Sequence, residues 1–466
     1  MQHALCAHLT SHIVAYDVGA HVGFYASAPS SHSLGREKKL APTTMIVLGS
    51  GSAGCGATSK TLNWLRLASI LTVIVLGGVT DRPRVYAGPD RSITAQYFGM
   101  HIHHAALGTP WPAVRFETWR LWDSGVAWPQ LEPQPGKWDF TLLDRYVQVA
   151  AEHDVEIVLT LGLTPSWASA RPWELSAYGR GNAAPPRRRA DWEDYVRVVA
   201  TRYKGAIRSY EIWNEPNDRA NFSGSPEEMQ QLSRTAYEVM KRVDPGITVI
   251  SPSATTSAGV AWLNEFLAKG GCKYSDVVGY HFYVTPDLPE AMIPLIQNVK
   301  GVLRSRGCEN KPLWNTESGW AKPKHFSSDA DAAGYLMRTY VVNWLMGVER
   351  CYWYSWDNHN WSTLELTTRD GNQMTTVGAA YGVIREWMFG AVLRSCSLQT
   401  PGVWTCNLDQ GPAKSWIVWS ESGTAQFDVP KSWAVAQVSN WTGDIQAASS
   451  TLLVSSTPRL LSARPR

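Results

Sequence analysis

Residues 207 to 217 read Ile-Arg-Ser-Tyr-Glu-Ile-Trp-Asn-Glu-Pro-Asn, an apolar strand that ends in Asn214, Glu215, Pro216 and Asn217. A second such strand, Pro-Leu-Trp-Asn-Thr-Glu-Ser-Gly-Trp, delivers Glu317. Two carboxyl groups at two strand ends suit acetal cleavage. One protonates the leaving oxygen while the other attacks or stabilises an oxocarbenium-like centre, and a single glutamate cannot do both at once.

Such a pair needs a frame of parallel strands. Candidate strands run over Ala95 to His104, Ala113 to Trp122, Val155 to Leu163, Ile207 to Asn214, Ile247 to Ala254, Asp276 to Val284, Lys311 to Ser318 and Arg350 to Asp357. Between them apolar residues recur at three-to-four spacing, as in Leu142, Tyr146, Val149 with Leu143, Val147, Ala150. Trp192 to Arg202 is a second helical stretch. A third is Pro226 to Val243, opened by Ser225 with Glu228 three residues on, the capping-box pattern. Eight strand–helix repeats indicate a (β/α)8 barrel over residues 88–390, with its active site at the C-terminal strand ends. After Trp387 the helical period gives way to short strands with Gly and Pro turns, so a small β-sandwich is expected over 391–466.

Residues 1–87 carry no pattern that adds to a barrel. Lys60 and Arg66 precede an apolar run, Leu67 to Val79, of signal-peptide length, followed by the small-residue site Val85-Tyr86-Ala87. An export signal cut after Ala87 is the expectation, placing the protein outside the cell or in a periplasm. Left uncleaved, Leu67 to Val79 becomes a membrane anchor. Met45 is a more sensible start, so residues 1–44 are read as an extension foreign to the fold. Export makes disulfides plausible: Cys396 with Cys406 across a hairpin, and Cys272 with Cys308. Cys351, inside an apolar strand, reads as a buried free thiol, and no Cys/His spacing suggests a metal site.

The composition excludes some partners. Lys and Arg total 43 against 40 Asp and Glu, and the resulting +3 is too small to argue for nucleic acid. The 23 tryptophans suit a carbohydrate groove, because indole stacks on the apolar faces of sugar rings, although most must be core. Arg187-Arg188-Arg189 reads first as a solvated loop and second as a contact for an acidic polysaccharide.

Several stretches together resemble the large barrel-glycosidase superfamily called clan A, and within it glycoside hydrolase family 39 and related bacterial exopolysaccharide endoglycosidases. They are Phe98 to His103, Arg120 to Trp128, Gly136 to Phe140, Leu163 to Ala168, Trp213 to Asn217 and Thr316-Glu317. The resemblance spans about residues 92 to 460. It implies retention of anomeric configuration by double displacement, with Glu215 as general acid/base and Glu317 as nucleophile, their carboxyls about 5 Å apart. Glu317 is then expected to stay ionised beside Arg120, and Glu215 to keep a raised pKa. The resemblance further implies that Tyr283 donates a hydrogen bond to Glu317 and Asn214 holds a sugar 2-hydroxyl. Trp356 is to form a platform under the sugar through a strained peptide bond, and His281, His103 and Trp167 are further candidate substrate contacts. The expected protein is a monomeric, secreted polysaccharide hydrolase without a cofactor or metal. Alternatives are a transglycosylase using the same residues, and a catalytically silent polysaccharide-binding barrel.

Overall fold

The structure is a computed structural model that describes residues 83–320, 326–360, 362–399, 402–421 and 423–463. Expectations for residues 1–82, among them the apolar run Leu67 to Val79, lie outside the described residues.

Parallel strands form the first sheet: β2 (Phe98–Met100), β3 (Thr118–Leu121), β4 (Glu156–Leu161), β5 (Ser209–Ile212), β6 (Thr248–Ile250), β7 (Ala254–Thr255), β8 (Val278–His281), β9 (Leu313–Gly319) and β10 (Arg350–Tyr354). Every expected barrel strand is present, shorter than its apolar run. The fifth is broken into β6 and β7 at Ser251-Pro252-Ser253, where proline has no N–H to give a ladder. β6 pairs with β5 and β7 with β8. Bridges Asn214–Ser253 and Ile250–Val277 join the two pieces to the neighbours they would otherwise miss, and so close the ring.

The helices are α1 (Trp128–Leu131), α2 (Thr141–Glu152), α3 (Arg189–Arg202), α4 (Pro226–Val243), α5 (Gly259–Ala268), α6 (Met292–Ser305), α7 (Asp329–Leu345) and α8 (Thr376–Met388). Leu143, Tyr146 and Ala150 form the buried face of α2, as the spacing requires. Ser225 and Glu228 close a reciprocal capping box on α4. One expectation fails: no helix joins β2 to β3. Pro110 and Pro112 interrupt that connection, and Trp111 covers the barrel there instead, stacked on Phe116 and on the His153 ring.

Period-two alternation fills the barrel in layers. Val158, Ile250, Val277, Trp314 and Tyr352 make an apolar plug. Two residues further along their strands stand Thr160, Thr316 and Tyr354, in a layer with Arg120 and Glu211 that is polar and charged. The site therefore rests on a dry floor.

The C-terminal region is a sandwich of unequal sheets. The seven-stranded sheet runs in the order β1 (Arg84–Ala87), β11 (Val392–Gln399), β12 (Val403–Gln410), β13 (Ala413–Ser420), β18 (Arg459–Ala463), β15 (Val435–Ser439), β16 (Ile445–Ala447). β14 (Ala425–Asp428) and β17 (Thr451–Val454) form the second sheet. Trp416 and Val418 of β13 face Phe427, Leu452 and Val454 between the sheets. Ile417 and Trp419 turn the opposite way into the barrel's hydrophobic core. A strand buried on both faces reads as a continuous apolar run, which is why Trp-Ile-Val-Trp does not alternate. The α7 helix lies between barrel and sandwich, so every residue from Ala332 to Leu345 is buried, including Arg338, which pairs with Glu290. Trp419 Nε1 donates to that same glutamate at 2.8 Å.

Residues Arg84–Ala87 correct the expected boundary at 88. They pair antiparallel with β11, and Tyr86 stacks on Trp404 with ring centroids 5.6 Å apart, so the fold begins no later than Arg84. Both disulfides form as expected, Cys272–Cys308 and Cys396–Cys406, and Cys351 is buried and free. Among the described residues no helix is long and apolar enough to cross a membrane.

Candidate active site

Arg120 stands at the centre of the polar layer and is fully buried. Its Nε donates to Glu211 Oε2 at 2.6 Å, Nη1 to Glu317 Oε2 at 2.8 Å, and Nη2 to Asn214 Oδ1 at 2.8 Å. Burial works against its charge, but the carboxylates of Glu211 and Glu317 outweigh that and raise its pKa further. Glu211 also accepts from Thr160 Oγ1 at 2.7 Å and from Ser253 Oγ at 2.5 Å. Burial would push the Glu211 carboxyl up, yet Arg120 holds it below the ordinary value. Glu211 is the anchor of this arrangement, and the sequence reading passed over it. Its signal is a charge inside an otherwise apolar strand, which cannot be buried without a partner.

Glu317 ends β9. Tyr283, just beyond β8, donates its hydroxyl to Glu317 Oε1 at 3.1 Å. Burial first, and then the charge of Glu317, push that phenol well above the usual range, so it keeps its proton. Gly319 is what allows β9 to run this close to β10: a Cβ there would lie 2.0 Å from the Tyr354 carbonyl oxygen. Glu215 follows β5 with φ at 45°, and Trp213 just before it has φ at 68°. That left-handed backbone is held by the Glu215 N–H bond to the Ser253 carbonyl at 2.9 Å. Glu215 shares His281 with its partner: His281 Nδ1 lies 3.0 Å from Glu215 Oε1 and 4.0 Å from Glu317 Oε2.

A donor atom from each of Glu215, His281 and Glu317 lies within 4.8 Å of the other two. They could present a cation with two carboxylates and an imidazole, but the Arg120 guanidinium already sits on Glu317 and would repel a divalent ion. The nearest oxygens of the two carboxyl groups lie within 4.8 Å, which suits the close pairing of retaining enzymes, about 5 to 5.5 Å, better than the wider one of inverting enzymes.

The electrostatic order is the reverse of the one expected. Burial raises the Glu317 carboxyl above its ordinary value despite His281 and Arg120. Burial acts on Glu215 too, but its hydrogen bond with His281 and the charge of that ring win, and Glu215 is lowered. The reason is local: His281 Nδ1 is an ångström closer to Glu215 than to Glu317.

Above the pair opens a cavity of about 810 Å3, lined by Glu215, Glu317, Asn214 and Tyr283 together with residues that the sequence reading did not single out. Those are chiefly Trp122, Asp123, Tyr178, Trp320, Tyr354 and Asn358. Five expected contacts, Trp356, His103, Trp167, His281 and Arg120, do not line it. Trp356 is buried within the hydrophobic core at 3% exposure. His103 is 1% exposed beneath the rim, its ring 3.5 Å from Asp357. Trp167 donates Nε1 to the Glu132 carbonyl at 3.0 Å. The residue of β10 that faces the cavity is Tyr354, two positions before Trp356, and the cis peptide is Tyr354–Ser355. His281 and Arg120 are fully buried; His281 reaches the cavity through Glu215 and Glu317, and Arg120 through Glu317 and Asn214. The Arg187–Arg189 run does not line it either, and Arg188 pairs with Asp191.

A model of the glycosyl hydrolase catalytic core matches residues 194–381, and one of the β-galactosidase family matches residues 120–207. Among solved structures, a family 39 glycoside hydrolase from Bacteroides cellulosilyticus WH2 superposes with a TM-score of 0.63 at 19% identity, covering 75% of this chain and 76% of that one. A family 39 β-xylosidase from Caulobacter crescentus gives 0.58 at 15% identity over 82% and 98%. A family 30 endoxylanase from Clostridium papyrosolvens C71 gives 0.54 at 12% over 81% and 97%. At such identities the structural likeness is one of fold. With the matched glycosyl hydrolase catalytic core, the barrel is that of a glycosidase. In fold it resembles the family 39 structures.

Proposed function

We propose that the protein is a secreted, retaining polysaccharide hydrolase in which Glu317 attacks the anomeric carbon and Glu215 protonates the departing oxygen, then deprotonates the water that releases the sugar. One observation carries this reading: Arg120 and Tyr283 both donate to Glu317, while Glu215 lies within 4.8 Å of it on the cavity side. A guanidinium and a phenol converging on one carboxylate favour its ionised, attacking form and draw off charge as the glycosyl bond breaks. Asn214, with Oδ1 fixed by Arg120, is positioned to offer its amide N–H to the sugar 2-hydroxyl. The cavity has the size of sites that enclose drug-sized ligands, so it suits an oligosaccharide stretch and an endo-acting enzyme. Two disulfides suit an oxidising compartment.

The reversed electrostatic order has a consequence for this reading. The Glu215 side chain retains 20% exposure, against 10% for Glu317, and a bound sugar removes that water. Desolvation raises a carboxyl, so Glu215 should hold its proton more tightly in the complex. The basic limb of kcat, which reports the complex, should therefore lie at higher pH than that of kcat/KM, which reports the free protein. Coincident limbs would remove this account.

The roles are tested by chemical rescue. Glu317→Ala should abolish turnover, and azide should restore it with inverted product. Glu215→Ala should lose about 10²- to 10⁴-fold, with azide giving retained product. Reversed stereochemistry in the two rescues would exchange the assignments, and rescue of neither would favour a silent binding barrel.

A further inference from the structure

The carboxylates of Asp123, Glu215, Asp218 and Glu317 line the cavity, and among the described residues no lysine, arginine or histidine lines it. The nearby cation, Arg120, lies behind Glu317 with Nε, Nη1 and Nη2 engaged by Glu211, Glu317 and Asn214. A sugar acid entering here meets four carboxylates, whose negative charge opposes its own.

Of the four, Asp123 and Asp218 are used by none of the steps above, and Asp123 is the one that accepts a tyrosine hydroxyl of the cavity wall. It follows β3 with φ at 57°, a left-handed conformation that aspartate adopts more readily than most residues. Its Oδ2 accepts the Tyr354 hydroxyl at 2.8 Å, and that hydroxyl in turn accepts from Asn358 Nδ2 at 2.7 Å. Tyr178, steadied by Trp122 Nε1 at 2.9 Å, stands on its other side. Asp123 is nevertheless exposed to the cavity, and its charge is felt at Glu317, where it adds to the forces that raise that carboxyl. A carboxylate that accepts only, is fixed by a tyrosine and lies beside the attacking group is matched to hydroxyl or ammonium donors on the sugar ring.

Resting on the glycosidase reading above, we propose that Asp123 is a specificity-determining residue. It binds ring hydroxyls or an ammonium of the sugar held beside Glu317, and so selects neutral or amino-bearing glycans over uronic or other anionic ones.

The test uses the full chain on neutral polysaccharides (xylan, cellulose, galactomannan), an amine-bearing one (chitosan) and anionic ones (polygalacturonate, alginate). Hydrolysis is read by reducing ends, and oligosaccharide binding is titrated on Glu215→Gln in parallel. Turnover and binding should both fall on the neutral or amine side, with anionic chains at least about a hundredfold weaker. Asp123→Asn, with an unchanged melting temperature, should lower kcat/KM on the best substrate about tenfold to a hundredfold, the size of a lost charged hydrogen bond, chiefly through KM. Asp123→Glu should recover part of it. Anionic chains cleaved or bound as well as neutral ones, or Asp123→Asn with unaltered kcat/KM, would overturn the proposal. If Glu215→Gln prefers neutral chains while the unaltered protein cleaves none, the selectivity stands and the glycosidase reading falls instead.

Discussion

The barrel mouth and the C-terminal sandwich are built from similar residues, both rich in tryptophan, yet they depart from ordinary folding rules to different degrees. At the ends of the barrel strands, Asp123, Leu163, Trp213, Glu215 and Thr256 all adopt left-handed backbone. Arg120, Glu211 and Glu317 are buried there as charges. In the sandwich the one non-glycine residue with such backbone, among those described, is Ala434 in a turn, and Val403, Trp416, Val418, Phe427, Leu452 and Val454 pack an apolar cluster. The difference locates the chemistry. Strain and buried charge persist only where the surroundings over-determine them, and they collect where a reaction needs groups held against their preference.

Three experiments press on this contrast, from the largest effect downward. If the sandwich is structural support, its removal should be the most damaging change of all. α7 is buried from Ala332 to Leu345, and truncation after Gly390 would expose its outer face. The truncated chain should be insoluble; a soluble barrel with unchanged activity would make the sandwich an independent module.

Single substitutions separate the two regions more finely. Trp419→Ala should cost about 3 to 5 kcal/mol of stability, the range for emptying a buried tryptophan site. Activity per folded molecule should stay unchanged. Arg120→Met should cost about as much, because it strands Glu211 as a buried unpaired charge, but it should also cripple turnover. Arg120 favours the ionised Glu317, so its loss raises that pKa again and moves the acidic limb of the activity profile to higher pH. An acidic limb that stays in place would mean Arg120 is structural only.

The smallest effect concerns the rim. Asp357 accepts from the His103 and His104 backbone N–H groups at 2.7 and 2.9 Å and from Thr109 Oγ1 at 2.8 Å. Burial opposes its charge, but the hydrogen bonds from His103 and His104 hold its pKa well below the usual range. A carboxyl depressed in the folded state stabilises above its unfolded value, near 3.9, and that contribution is lost as pH falls. Thermal melts of Asp357→Asn between pH 6 and 3 should decline less steeply than those of the unaltered protein. Parallel declines would assign the acid sensitivity elsewhere.

Most of the frame was legible because its signals are local or periodic. Apolar runs marked every barrel strand, Ser225 and Glu228 announced the start of α4, and apolar residues at three-to-four spacing marked the buried face of α2. Glu215 and Glu317 were legible at strand ends, the family resemblance added Arg120, Asn214, Tyr283 and His281, and the structure brings these six together. What failed lies beyond the strands, where no period tells inside from outside. Tyr354 ends β10 and Trp356 lies two residues beyond it, yet Trp356 packs in the core and Tyr354 faces the cavity. His103 turns under the rim because Asp357, far along the chain, holds it there. The reversed order of the two carboxyls was equally hidden, since it depends on which of them His281 approaches more closely.

The interruption at Ser251-Pro252-Ser253 leaves one stave of the barrel in two pieces, each with a short ladder on one side and a single bridge on the other. Backbone opening should concentrate there, so in hydrogen–deuterium exchange the amides of residues 249–256 should exchange before those of the other barrel strands. The same stretch supplies Thr255 and Thr256 to the cavity wall opposite Asp123 and Tyr354, and its Ser253 carbonyl holds the Glu215 N–H. A glycan touching both walls would staple the weak stave shut. Slowed exchange confined to that stretch would then serve as a label-free report of substrate binding, readable even in variants that turn nothing over.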